Sequence, residues 1–348
     1  MASRSACIEG ASVGALDDEI RAEARVIELE QTCQRLQRQL AAAKTKTDQL
    51  VDAVERAARD AMLIVGPATP VKAPKRNKRK HPHSAILHLT DWQLGKETDS
   101  YDSNVCRERV ERAITKTLRL TDIQRAAYPV DEIVVLLGGD MVEGIGVFPG
   151  QAFEVDSTAF DQVFTAANLI ETALLSLLKH FDRVRVFEAA GNHGRIGRKG
   201  ENPRRDNWDR VVYRITRERL AAQDRLEWAP PTGWYEIAEI GTYRALLVHG
   251  DQIKSFGGNV PAFGISRKAI AWSSGVTEPF DDMYMGHFHQ VMQLTMANGG
   301  RVFVTPSTES GSEYAREFVG ARGRPGQRLH FVDPEAGRVT AEYVIWLD

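Results

Sequence analysis

Five short polar segments could do chemistry together: Asp91 with Gln93, Gly139-Asp140, Gly191-Asn192-His193, His249-Gly250-Asp251 and Gly286-His287-Phe288-His289. Carboxylate, amide and imidazole groups are the donors of a two-metal centre. A carboxylate can bridge two cations held about 3.5–4 Å apart, the other groups complete each shell, and the pair clamps an in-line displacement at phosphorus. Of the nine histidines in the chain, His193, His249, His287 and His289 fall in these segments, a concentration that scattered core histidines would not produce.

Such donors need rigid elements to hold them. Apolar runs end just before four of the segments: Ala85-Ile86-Leu87-His88-Leu89 before Asp91, Ile133-Val134-Val135-Leu136-Leu137 before Asp140, Val184-Arg185-Val186-Phe187 before Asn192, and Ala245-Leu246-Leu247-Val248 before His249. They read as buried strands, which puts the polar residues at strand ends.

In order and type the segments resemble the signature of the calcineurin-like metallophosphoesterase superfamily: Asp-x-His, Gly-Asp, Gly-Asn-His, a lone His, then Gly-His-x-His. The resemblance implies an α/β fold of two packed mixed β-sheets flanked by helices, and two divalent metal ions. It places Asp91 and His289 on the first ion, Asp140 as the bridge, and Asn192, His249 and His287 on the second. His193 becomes the acid that protonates the leaving oxygen, a task suited to a group with an unperturbed pKa of about 6.5. Asp140 and His193 are thus the expected catalytic residues of a phosphoesterase that works through a metal-bound hydroxide.

Two positions depart from the signature. Gln93 stands where the family has histidine, so the first ion loses an imidazole. An amide oxygen there would tilt the site from zinc toward manganese or magnesium, or would leave the ion weakly held. Manganese is the expected ion, with magnesium, zinc and iron as alternatives. Gly194 replaces a common aspartate, which removes one means of fixing the His193 tautomer. Similar Asp-Trp-Gln-Leu-Gly-Lys and Gly-Asn-His-Gly-Arg stretches occur in uncharacterised phage-encoded members.

The chain has 348 residues, 43% of them hydrophobic, enough for one large core. A net charge of −2 averages over clusters of opposite sign and says nothing about partners. Cys7, Cys33 and Cys106 make no C-x-x-C pair, and no apolar stretch approaches the length of a membrane span. A cytoplasmic protein without a membrane partner is expected.

Residues 1–17 read as a disordered tail and 18–63 as a helical coiled coil. Its seam runs Ala22, Val26, Leu29, Cys33, Leu36, Leu40, Ala43, Thr47, Leu50, Val54, Ala57 and Ala61, and would support a homodimer. The alternative is one amphipathic helix lying on the catalytic domain. Residues 64–84 read as a basic, proline-rich linker, whose Lys75, Arg76, Lys78, Arg79 and Lys80 could neutralise phosphates or simply keep the segment open. The metallophosphoesterase domain is expected over 85–348.

After His193 comes a glycine-punctuated run with Arg195, Arg198, Lys199, Arg204 and Arg205. Guanidinium groups anchored beside a metal site can fork onto phosphate oxygens, which makes these the candidate substrate-binding residues. Internal pairing with Glu201, Asp206 and Asp209 is the competing reading. Helices are expected over 104–127, 157–180 and 206–222, and further strands over 234–240, 243–248, 301–305, 328–332 and 339–346. Segment 256–264 reads as a loop. The expectation is a nuclease or phosphodiesterase acting on DNA or RNA; alternatives are a phosphatase of a protein or small monoester, and a non-catalytic nucleic-acid-binding module.

Overall fold

The computed structural model describes residues 66–74, 81–229, 231, 233–254, 261–310 and 323–348, together with residue 56. Apart from residue 56, all lie in the unit Ala58–Asp348. The expected tail, the coiled coil and the basic run 75–80 lie outside the described residues, residue 56 excepted.

β1 (His83–Leu89), α1 (Ser103–Arg125), β2 (Val130–Leu137), α2 (Ala159–Leu178), β3 (Arg183–Glu188), α3 (Trp208–Arg219) and β4 (Leu226–Trp228) form successive strand-helix-strand units with the strands parallel. Each helix starts at a residue whose side chain satisfies a free backbone N–H: Asp102 accepts from Val105, Thr158 from Asp161 and Asn207 from Asp209. β10 (Gly326–Asp333) pairs antiparallel with β1, and β11 (Arg338–Trp346) with β10, giving the order β11-β10-β1-β2-β3-β4.

The second sheet has the order β5-β6-β7-β9-β8, built from β5 (Tyr235–Ile240), β6 (Tyr243–Val248), β7 (Asp282–Met285), β8 (Met292–Thr295) and β9 (Arg301–Val304). Ile86, Val134 and Leu136 of the first sheet share a buried cluster with Tyr243, Ala245, Leu247, Tyr284 and Phe303 of the second. On the far face of the second sheet, α4 (Ala262–Ala271) buries Ile265 and Ala269 in one cluster with Leu246, Val248 and Met283. β1 is buried throughout and β2 nearly so, which explains their unbroken apolar runs.

The architecture is the expected pair of mixed sheets flanked by helices, with corrections at particular elements. β1 begins at His83, inside the segment read as linker. Residues 66–74 have no regular structure, as their prolines dictate, but part of the segment is fastened to the domain. The Gln223 amide donates to the carbonyls of Ala68 and Thr69 at 3.2 and 2.9 Å and accepts from Val71 N at 3.0 Å, while Arg225 donates to Val71 O at 2.9 Å. Of segment 256–264, Ala262 to Gly264 open α4 instead of forming a loop. β4, β7 and β8 were not expected: β7 reads Asp-Met-Tyr-Met, with no β-branched residue, and is a strand because β6 and β9 pair with it on both sides. No helix among the described residues is long and apolar enough to cross a membrane.

Candidate metal centre and catalytic site

All five polar segments sit just beyond the carboxyl ends of strands: Asp91 after β1, Asp140 after β2, Asn192 and His193 after β3, His249 after β6, and His287 and His289 after β7. The backbone there is unusual. Asp91, Gln93, Asp140, His287 and His289 have φ of 53°, 43°, 53°, 68° and 53°; His81 is the one other non-glycine residue with positive φ among the described residues. Left-handed backbone costs each of these residues on the order of 1 kcal/mol, and its clustering marks a site held against its local preference. Two motif glycines are explained by close approach. A Cβ on Gly191 would collide with the Asp140 carboxylate, and one on Gly286 with the Asp91 carboxylate and the Thr90 hydroxyl.

The donor atoms converge in two groups. Asp140, His249 and His287 offer ligand atoms that all lie within 4.8 Å of one another. His249 Nε2 is 3.0 Å from Asp140 Oδ2 and 3.2 Å from Asn192 Oδ1. Its Nδ1 lies 2.8 Å from the Gly138 carbonyl oxygen, which can only accept, so Nδ1 carries the hydrogen. In the other group His289 Nε2 faces Asp91 Oδ1 at 3.4 Å, while its Nδ1 is 3.1 Å from Glu309 Oε2.

In the neutral tautomer that these partners select, Nε2 of each ring presents a lone pair to a carboxylate. That arrangement repels unless a cation stands between, either a proton or a metal ion. Without metal, protons fill the role: burial alone would lower the His249 pKa, but the Asp140 carboxylate raises it to about 10. Burial likewise works against protonation of His289, yet Asp91 and Glu309 raise it to about 10. Burial and the neighbouring His249 push His287 down to about 4, leaving its ring neutral. Buried carboxylates and imidazoles with fixed tautomers fit a divalent cation.

Gln93, expected to offer its amide oxygen to the first ion, sits beside His289. Its Nε2, not its oxygen, lies 3.3 Å from His289 Nε2. The oxygen receives Lys96 Nζ at 3.4 Å, and Lys96 in turn pairs with Glu309 at 3.0 Å. An ammonium can only donate, so Lys96 selects the acceptor end of the amide.

His193 borders the second group. Its backbone N–H donates to Asp140 Oδ1 at 2.7 Å, and its ring Nδ1 lies 2.9 Å from Glu143 Oε2. Glu143, three residues past Asp140, supplies the carboxylate missing at Gly194. Burial works to lower the His193 pKa, but Glu143 and Asp140 raise it above the ordinary value. Asp209, in the first turn of α3, fastens two loops at once: its carboxylate accepts from the backbone N–H of Asp140, Met141 and Gly191 at 2.9, 3.0 and 2.8 Å.

The five basic residues after His193 divide. Arg195 and Arg204 both pair with the buried carboxylate of Asp251, beside His249, so they tie the loop to the second sheet. Arg205 lies 3.9 Å from Asp206. Arg198 and Lys199 are exposed. The structure thus brings the sequence-predicted donors together, and adds Glu143, Asp209, Glu309 and Lys96, which the sequence did not single out as part of the site. Only Glu143 left a signal, a carboxylate one short turn beyond Gly-Asp.

Oxygen donors from one sheet and imidazoles from the other meet at the strand ends, in the order of the motifs. The architecture is the pair of mixed sheets flanked by helices that the resemblance in sequence implied. No protein-family model matches it. Among curated proteins it is similar to the SPbeta prophage-derived uncharacterized protein YonJ of Bacillus subtilis (strain 168), 24% identical over 293 residues that cover 80% of this chain and 68% of that one. Similar solved structures include zinc-complexed wild-type Vps29 from Entamoeba histolytica, at TM-score 0.33 and 13% identity over 76% of this chain and 99% of that one. An archaeal phosphodiesterase aligns at TM-score 0.35 and 13% identity over 75% of this chain and 99% of that one.

Proposed function

We propose that the protein is a metal-dependent phosphodiesterase that cleaves nucleic acid, DNA or RNA. One observation carries this reading: buried carboxylates and tautomer-fixed imidazoles converge beside a histidine that has its own carboxylate partner. Two divalent cations, manganese first among the candidates, would polarise the phosphoryl oxygens and lower the pKa of the attacking water. Asp140, at the centre of the donor set, would bridge them. Asp91 and His289 would hold one ion; Asn192, His249 and His287 would hold the other. His193, whose Nδ1 lies against the Glu143 carboxylate, would give its proton to the departing oxygen. Arg198 and Lys199 would meet phosphates along the strand.

The test is product analysis after incubating the purified protein and manganese with end-labelled single- and double-stranded DNA and RNA. Cleavage should vanish in Asp140→Asn, together with a fall in bound metal, because a neutral amide does not bridge two cations as a carboxylate does. A metal-loaded protein that leaves every nucleic acid intact but hydrolyses a small monoester would replace this reading with a phosphatase.

A further inference from the structure

Between Asp140 and α2 the chain makes a loop that is pinned, not loose. The buried Gln151 amide accepts from Val147 N and Phe148 N at 2.8 and 3.3 Å and donates to the carbonyl and carboxylate of Glu143 at 2.7 and 3.0 Å. Gly144 N donates to Gln162 Oε1 at 2.8 Å, and a Cβ on Gly144 would strike the His193 carbonyl oxygen. On this fixed backbone Phe148 is 46% exposed, and Ile145 and Phe153 in the same loop are 39% and 92% exposed. A lone exposed apolar side chain is ordinary. The location of Phe148 is not, because its ring centroid lies 5.1 Å from that of His193, tilted by 59°.

We infer that Phe148 is a stacking shelf for an unpaired nucleobase next to the scissile phosphate. The inference rests on the phosphodiesterase reading above and narrows its substrate class to single-stranded or frayed nucleic acid. A phosphate placed for proton transfer from His193 lies against the imidazole that Phe148 touches, so the base of an adjoining nucleotide is within reach of the open part of the ring. Every base has a π-face, and aromatic side chains on a rigid support bind bases regardless of sequence. A base still stacked inside a duplex cannot reach the shelf. Exposed Arg198 and Lys199, on the segment that follows His193, supply cations for the backbone of the same strand.

The experiment uses the full chain with manganese and short oligonucleotides holding one phosphodiester among methylphosphonate linkages. Each is made with a normal base or a tetrahydrofuran abasic residue beside the cleavable bond. Wild type should cleave the base-bearing member with kcat/KM about five- to 150-fold higher, the range a base-aromatic stack supports. Phe148→Ala and Phe148→Leu should bring that ratio near one, and Phe148→Trp should keep it. Because both members use the same His193, the ratio cancels any disturbance of proton transfer. Equal ratios in wild type and Phe148→Leu, or no discrimination by wild type, would sink the shelf alone. If wild type hydrolyses a p-nitrophenyl diester but no oligonucleotide, the nucleic-acid reading falls and the shelf falls with it.

Discussion

Glu143 Oε2 lies 2.9 Å from His193 Nδ1, so a carboxylate from the neighbouring strand end lies against the imidazole proposed as the proton donor. Glu143→Gln should leave metal content unchanged and lower turnover. The loss should be larger for a nucleic acid than for a p-nitrophenyl diester, whose good leaving group needs little acid catalysis. His193→Ala should show the same split more strongly, within the hundred- to ten-thousand-fold typical of general acids. Steady-state kinetics on both substrates decide it, and equal losses would remove the pair from proton transfer.

Lys96 holds the Gln93 oxygen away from the first donor group. Lys96→Met should release the amide to turn its oxygen toward the metal, tightening the first ion by about tenfold, the scale on which ligand-orienting partners act. In a Gln93→Ala background the same change should gain nothing. Gln93→His should also tighten the ion and shift preference toward zinc. Calorimetric titration of metal-depleted protein checks all three; a gain that persists without Gln93 would show that Lys96 acts through Glu309 instead.

Glu188, at the end of β3, bonds Trp228 Nε1 at 2.6 Å, and burial pushes its carboxyl up to about 7. The folded state therefore holds this proton more tightly than the unfolded chain does. Its stabilising contribution is complete below about pH 4.5 and is lost as pH rises through about 7. Glu188→Gln keeps an acceptor for Trp228 without the charge. The variant should gain stability relative to wild type as pH rises from 5 to 8, by about 3 kcal/mol at most. Urea midpoints at the two pH values measure this, and a parallel response in both proteins would contradict it.

Deleting residues 1–63 should convert a dimer into a monomer and leave hydrolysis of a small diester intact, since the heptad seam lies in that segment and every candidate ligand follows it. Light scattering reads the outcome. A full-length monomer, or a truncated dimer, would overturn the coiled coil.

The candidate donors were legible because their types, order and place after apolar runs are all local properties of the chain. β1, β2, β3 and β6 announced themselves in the same way. What escaped was set by distance in sequence. Asp209 works on Asp140 and Gly191 through a helix that the chain reaches only after the arginine loop, and Glu309 meets Lys96 across the whole domain. β7 escaped because its strand character comes from its neighbours more than from its own side chains. The docking of residues 68–71 escaped because prolines announce an extended backbone without saying what it lies against.

The division of donors between the sheets bears on which ion the protein could hold. The first sheet brings only oxygens, from Asp91, Asp140 and Asn192; the second brings only imidazoles, from His249, His287 and His289. The oxygens alone would make a hard donor set suited to magnesium, calcium or manganese. With the imidazoles of the second sheet added, and the His249 ring set by a carbonyl of the first, the mixed donor set would suit transition ions. Neither sheet alone supplies the mixed set of carboxylates and imidazoles; it exists only where the carboxyl ends of both meet.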